Sequence, residues 1–183
     1  MLNTRFFVLV GITLVAAAAR LIPHPPNVTP VAALALFGGA YFASKRVAVA
    51  IPLAAMLLSD LVLGFGVFGN DVFSLMPYVY GCFVVTTCLG MWTQHAPLRV
   101  AVAALASSVL FFVVTNFGSW VVFSFYPKTW DGLVECYLVG LPLFRNTLIG
   151  DAIYTLVLFG GFALAQRYFA ALREKPAPAE AAT

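Results

Sequence analysis

One cysteine stands where it could do chemistry. Cys82 follows Pro77-Tyr78-Val79-Tyr80-Gly81 and lies one turn inside an apolar run that extends to Trp92. As a thiolate it would ligate a soft metal; as a thiol it is a small apolar filler, and its residue type leaves both roles open. Cys136, in a segment of mixed character, is the second candidate. Cys88, beside Thr86-Thr87, reads as packing. Six positions separate Cys82 from Cys88, so on one helix they face different sides. The three cysteines form no CxxC and no zinc spacing. His24 sits between prolines, which suits a ligand contact or a loop-closing hydrogen bond equally. Asp60, Asp71, Asp151 and Asn116 complete the polar set, and His95 reads as solvated. Tyr78, Tyr80, Tyr126, Trp130 and Tyr137 fit an aromatic belt at a membrane boundary, and the same residues could also grip a planar ligand.

The elements that position these residues belong in a bilayer. Of 183 residues, 62% are hydrophobic and only 9% charged, and the mean hydropathy is +0.98. A soluble domain carries about 25% charged residues, so this chain cannot cover a water-facing surface. It suits lipid instead. The net charge of +3 is too small to point to nucleic acid. The expected fold is an all-α integral membrane protein with six transmembrane helices in one domain, residues 1–169, followed by a disordered cytoplasmic tail, residues 170–183.

The first run, residues 6–22, has the small residues of a signal peptide near its end. Further runs follow at once, so an uncleaved helix is the simpler reading. Four prolines among residues 23–30 exclude a helix there and predict a stiff loop. The second run, 31–43, is short for a crossing. The third, 47–68, carries Pro52 as an expected kink and Asp60 within it. The fourth is 73–92, the fifth 100–125, and the sixth 147–169 with Asp151 near its start. Between the last two, residues 126–146 read as part interfacial helix and part loop.

Six crossings place both termini on one side. Arg5, Lys45, Arg46, Arg99, Arg167, Arg173 and Lys175 fall on that side; Arg20, Lys128 and Arg145 fall on the other. The asymmetry makes the termini cytoplasmic. Asp60, Cys82, Asn116 and Asp151 then lie toward the outer face, with the loops of His24, Asp71 and Tyr126. These features converge on one outer pocket, the layout expected of a protein that captures something from outside. A carboxylate at mid-membrane costs about 2.5–3.5 kcal/mol. Asp60 and Asp151 must therefore face the interior, protonated or paired. Asn116 or a threonine is the expected partner of Asp60, and Arg145 a candidate for Asp151. No Ser/His/Asp arrangement, acid pair at a defined spacing or nucleotide-binding motif occurs, so a membrane enzyme is disfavoured and ATP-driven power would come from a partner.

Several stretches carry a resemblance. Pro23-His24-Pro25-Pro26-Asn27 with Phe37-Gly38-Gly39-Ala40-Tyr41, Ser59-Asp60, Thr115-Asn116-Phe117-Gly118, Tyr126-Pro127-Lys128-Thr129 and Phe144-Arg145-Asn146-Thr147 with Gly150-Asp151 resemble the substrate-binding S components of energy-coupling-factor (ECF) transporters, over residues 6–169. A free cysteine at the outer start of the fourth helix is similar to that of the BtuM-like solitary cobalamin transporters. The resemblance implies a bacterial inner-membrane protein that captures cobalamin. Cys82 would ligate its cobalt and assist removal of its cyanide, with His24, Tyr78, Tyr80, Asp71, Asp60, Asn116 and Tyr126 around the ligand. S components dock to their energising subunits through an AxxxA motif on the first helix. Here Ala16 is followed four residues later by Arg20, which implies a solitary or divergent transporter. The same scaffold carrying another micronutrient, or serving as a non-transport scaffold protein, are the competing expectations.

Overall fold

The computed structural model describes residues 3–65 and 71–174, and the side chains of Asp71 and Val72 lie outside the described residues. Every regular element among them is helical: α1 (Thr4–Ala18), α2 (Val31–Tyr41), α3 (Lys45–Leu63), α4 (Asp71–Ser74), α5 (Met76–Thr93), α6 (Pro97–Val122), α7 (Trp130–Thr155) and α8 (Gly161–Tyr168). Local chemistry sets the boundaries. Asn3 caps α1 by accepting from the Phe6 amide at 2.9 Å, and Thr129 caps α7 by accepting from the Gly132 amide at 3.3 Å. Prolines open α5 and α6, where a missing amide hydrogen costs nothing. Pro52 lies inside α3 without ending it.

The short second run is short because it meets protein rather than lipid. Nine of the eleven residues of α2 are buried. At 1.5 Å per residue it reaches about 16 Å, roughly half of a hydrocarbon core. A helix that is apolar all round belongs inside a bundle. Two close approaches seat it. A Cβ on Gly39 would strike the Thr87 carbonyl, and a Cβ on Gly90 would strike the Leu36 carbonyl, so α2 and α5 touch backbone to backbone. Gly38 lies against the Pro52 ring of α3, where a Cβ would also collide. Phe37 then meets Phe159 and Phe162 edge to face, each at 5.6 Å between ring centres.

Four helical segments are long and apolar enough to cross a membrane: Thr4–Leu21, Lys45–Leu63, Pro97–Val122 and Trp130–Tyr168. Their outward faces carry Val15, Leu58, Val62, Leu105, Ile153 and Leu156, all exposed. Such an apolar exterior is what a bilayer-facing surface requires.

The connection expected over residues 126–146 is different. From Trp130 onward it is helix, continuous through α7, a π-helical turn (Leu156–Gly160) and α8. These 39 residues extend about 58 Å, more than the roughly 40–45 Å of a whole bilayer. Apolar residues on both sides of Arg145, paired against α6, kept the helix going. Tyr137 donates to the Val113 carbonyl at 2.7 Å, and Phe112 packs on Phe144 at 4.5 Å.

The two ends of the described chain, near Arg5 and Glu174, meet at one end of the bundle. Arg5 reaches the Tyr41 carbonyl at 3.2 Å and Glu174 at 3.4 Å. The first residues of the expected tail are ordered: Ala170–Leu172 forms a 3-10 turn, Leu172 is buried, and Arg173 donates to the Gln166 carbonyl at 2.9 Å. The remainder of the tail, 175–183, lies outside the described residues. The proline-rich loop packs against the middle of the long helix, at Asn146 and Gly150, and the turn between α6 and α7 lies farther from the termini.

Candidate functional site

The polar residues of α1, α3 and α5 meet beneath the proline-rich loop. Arg20 ends the first helix in a 3-10 turn, Ala19–Leu21. Its Nη1 lies 2.6 Å from Asp60 Oδ1, 2.5 Å from Ser59 Oγ and 3.1 Å from Met56 Sδ. Tyr80 donates its hydroxyl to Asp60 Oδ2 at 2.8 Å. Asp60 is thus held by an arginine and a tyrosine, which corrects the expectation of Asn116 or a threonine. A full opposite charge offsets the desolvation of a carboxylate far better than an amide does. Arg20 stands in the sequence as a topology signal and as the break in the AxxxA spacing, and not as a candidate site residue. The signal for that role was a lone cation inside an apolar run.

Arg20 also forms part of the wall of a cavity of about 400 Å³. The proline-rich loop contributes Asn27 and Thr29, α6 contributes Thr115, Asn116 and Ser119, and α7 contributes Thr147 and Asp151. The loop is fastened over α7: Asn146 donates to the Pro26 carbonyl at 3.0 Å, and Gly150 leaves room for Val28 and Thr29. Asn116 gives one amide hydrogen to the Phe112 carbonyl at 2.7 Å and lies against Gly140, where a Cβ would collide with its side-chain oxygen. The cavity can therefore offer hydroxyls, an amide and a guanidinium edge to a small polar molecule. Its size sits at the lower end of small-ligand pockets.

A second cavity, about 490 Å³, runs between α6 and the α7–α8 segment. It is apolar over most of its wall, with Val100, Leu105, Leu148 and Phe159 among its residues, and Tyr41 and His95 at the end nearest the termini. His95 is exposed, as expected, and also engaged: Nε2 lies 2.7 Å from the Ala40 carbonyl, and the ring stacks on Tyr41 at 4.5 Å. Asp151 belongs to both cavities. Its Oδ2 lies 2.6 Å from Ser108 Oγ, and Arg145, its expected partner, is exposed on another face of α7.

The other expected residues divide. Asn116 lies on the polar cavity, and Asp60 and Tyr80 lie behind its Arg20 wall. Cys82 does not reach either cavity wall. It is buried between α5 and α6 with Sγ 3.9 Å from the Leu110 carbonyl. Cys136 is buried with Sγ 3.4 Å from the Asn116 carbonyl, and Cys88 is exposed. His24 is exposed and closes its own loop, Nδ1 lying 2.6 Å from the Ile22 carbonyl. Tyr78 lies over Gly118, and Tyr126 is partly buried in the α6–α7 turn away from the cavity. The side chain of Asp71 lies outside the described residues. Local geometry explains Cys82: it sits on the α5 face with Phe83, Thr86 and Gly90, and that face is spent on helix packing.

No curated protein and no solved structure matches the chain. A sequence profile does match, over residues 1–174. The chain belongs to a family of unknown function, DUF6580.

Proposed function

We infer that the protein is a multi-pass membrane transport protein that captures a small polar micronutrient beside its proline-rich loop. The observation that carries this reading is a cavity of about 400 Å³ inside an apolar bundle, whose otherwise apolar wall carries the polar groups of Arg20, Asn27, Thr115, Asn116 and Thr147. Polar groups in a membrane are expensive, and a cavity lined with them marks a substrate path more often than a packing need. Six crossings, termini in the cytoplasm and a bacterial inner membrane complete the reading; the excess of Lys and Arg at the terminus end supports that orientation.

Cobalamin remains the candidate substrate drawn from the S-component resemblance. Two observations favour a smaller molecule. The cavity is at the low end of the range for drug-sized ligands, whereas a corrin with its nucleotide tail is larger than such ligands. The thiol that would bind cobalt lies between helices, so α5 and α6 would have to part for Cys82 to reach it.

The deciding experiment is a thermal-shift screen of the detergent-solubilised full chain against a panel of water-soluble vitamins, cyanocobalamin among them. An Asn116→Leu variant, which fills the cavity wall, is screened beside it. One compound raising Tm in the wild type and not in Asn116→Leu is the expected result. A shift in the visible spectrum of cyanocobalamin that disappears in Cys82→Ala would restore the cobalt–thiolate assignment. If no panel member stabilises the protein and no small molecule copurifies, the capture reading fails in favour of a scaffold protein.

A further inference from the structure

Asp151 is the residue the two cavities share, and its surroundings carry an inference about how they communicate. The residue is 4% exposed, and among the described residues no ion pair reaches it. Its hydrogen-bond partner is Ser108, whose Oγ lies 2.6 Å from Asp151 Oδ2 and 3.1 Å from the Ala104 carbonyl. A hydroxyl has one hydrogen. Ser108 therefore cannot donate to the carboxylate and to the carbonyl at once. Two arrangements obey that limit: an ionised Asp151 accepts from Ser108, or a protonated Asp151 donates to Ser108 Oγ while Ser108 donates to the Ala104 oxygen.

A second observation points to the same place. One turn along α7, Thr155 carries a buried hydroxyl with no partner, and the residue lines the apolar cavity. A buried hydroxyl without a partner is costly, and a water molecule is the ordinary remedy. Directly beyond it the helix passes into the π turn Leu156–Gly160. Such turns recur at functional sites.

We propose that Asp151 is a proton-binding site on the partition between the two cavities, which makes this a proton-coupled carrier. The proposal rests on the transport reading above. The proton leaves the Asp151 carboxyl for a water molecule on the Thr155 side. The carboxylate left behind takes the Ser108 hydrogen, and the Ala104 carbonyl loses that donor. Uptake of a proton from the polar cavity reverses both changes. The other charged and titratable groups facing this region are few. Arg20, already engaged by Asp60, lies across the polar cavity, and Tyr41 and His95 close the far end of the apolar one. In the loop packed on α7, His24 is exposed and turned to Ile22; on α7 itself, Arg145 is exposed and Tyr154 half-buried.

The test is infrared difference spectroscopy of the full chain in lipid, acid minus alkaline buffer. A protonated-carboxyl band that shifts in heavy water is expected, retained in Asp131→Asn and lost in Asp151→Asn. A band unchanged in Asp151→Asn overturns the proposal. A second measurement uses proteoliposomes holding an internal pH dye, with the vitamin panel added outside. An internal pH change in the wild type that is lost in Asp151→Asn supports coupling. If a vitamin stabilises the protein and no proton moves, the proton proposal falls while the capture reading stands. If no vitamin stabilises it and the infrared band still belongs to Asp151, the capture reading falls and the proton site stands.

Discussion

Asp60 shows what a single residue must do to exist inside this bundle. Its carboxylate meets Arg20 at 2.6 Å and the Tyr80 hydroxyl at 2.8 Å, and Ser59 Oγ and Met56 Sδ also receive the guanidinium. Removing one partner of a buried ion pair strands the other charge and costs about 3–5 kcal/mol. Asp60→Ala and Arg20→Ala are each expected to lower Tm steeply in detergent. The double change Arg20→Met with Asp60→Leu should recover most of the loss, because two apolar side chains leave no stranded charge. Equal damage in the double variant would show that the pair is not a closed unit. Cys82 should behave differently. Its Sγ is packed against the Leu110 carbonyl and lines no described cavity, so Cys82→Ala should cost about 1 kcal/mol and leave any ligand-induced gain in Tm unchanged.

At the scale of elements, the contact of α2 with α5 decides how closely the bundle can pack. Gly39 faces the Thr87 carbonyl and Gly90 faces the Leu36 carbonyl, so each would push backbone against backbone if it gained a methyl group. Gly39→Ala and Gly90→Ala are expected to destabilise by about 1–3 kcal/mol, the usual cost of overpacking. Gly11 and Gly81 have nothing within 4 Å of a Cβ and sit within helices. Alanine there should stabilise by about 0.5–1 kcal/mol. Denaturation midpoints of the four variants test the contrast directly. The sequence marked most of these elements: the runs at 47–68, 73–92 and 100–125 correspond to α3, α5 and α6, and the proline-rich loop lies where four prolines required it. The long helix from Trp130 was not legible. Charges at Asp131, Glu135 and Arg145 suggest a loop, yet all three are exposed while Cys136, Gly140 and Gly150 pack inward.

The whole molecule sets its two ends apart. Arg5, Tyr41, His95 and Glu174 are tied together at the terminus end, and the polar cavity lies toward the end of the proline-rich loop. Moving helices across that arrangement would separate partners, so the orientation should be uniform. A reporter active only in the cytoplasm, fused after Thr183, should be active. Fused within the turn holding Tyr126 and Pro127, it should be silent. Activity at both positions would overturn the six-crossing topology proposed above. Such fusions also test the short α2, which is too short to span alone and is surrounded by protein.

The residues by themselves pointed to an apolar, lipid-suited exterior and to an all-helical chain, not to one shared pocket for the polar groups. Hydrophobic run length and the placement of proline and charge are local quantities, readable one segment at a time. They did not determine who pairs with whom. Helices α2, α5 and α6 are apolar on nearly every side, so their sequences carry little information about which face turns inward. Rotation of each helix is fixed only when neighbours pack, through Gly39 on Thr87, Gly90 on Leu36 and Tyr78 on Gly118. That packing placed Arg20 on Asp60, put Ser108 rather than Arg145 beside Asp151, and enclosed Cys82 between helices. A partner within 3 Å depends on the rotation of two helices at once, and no single stretch of chain contains it.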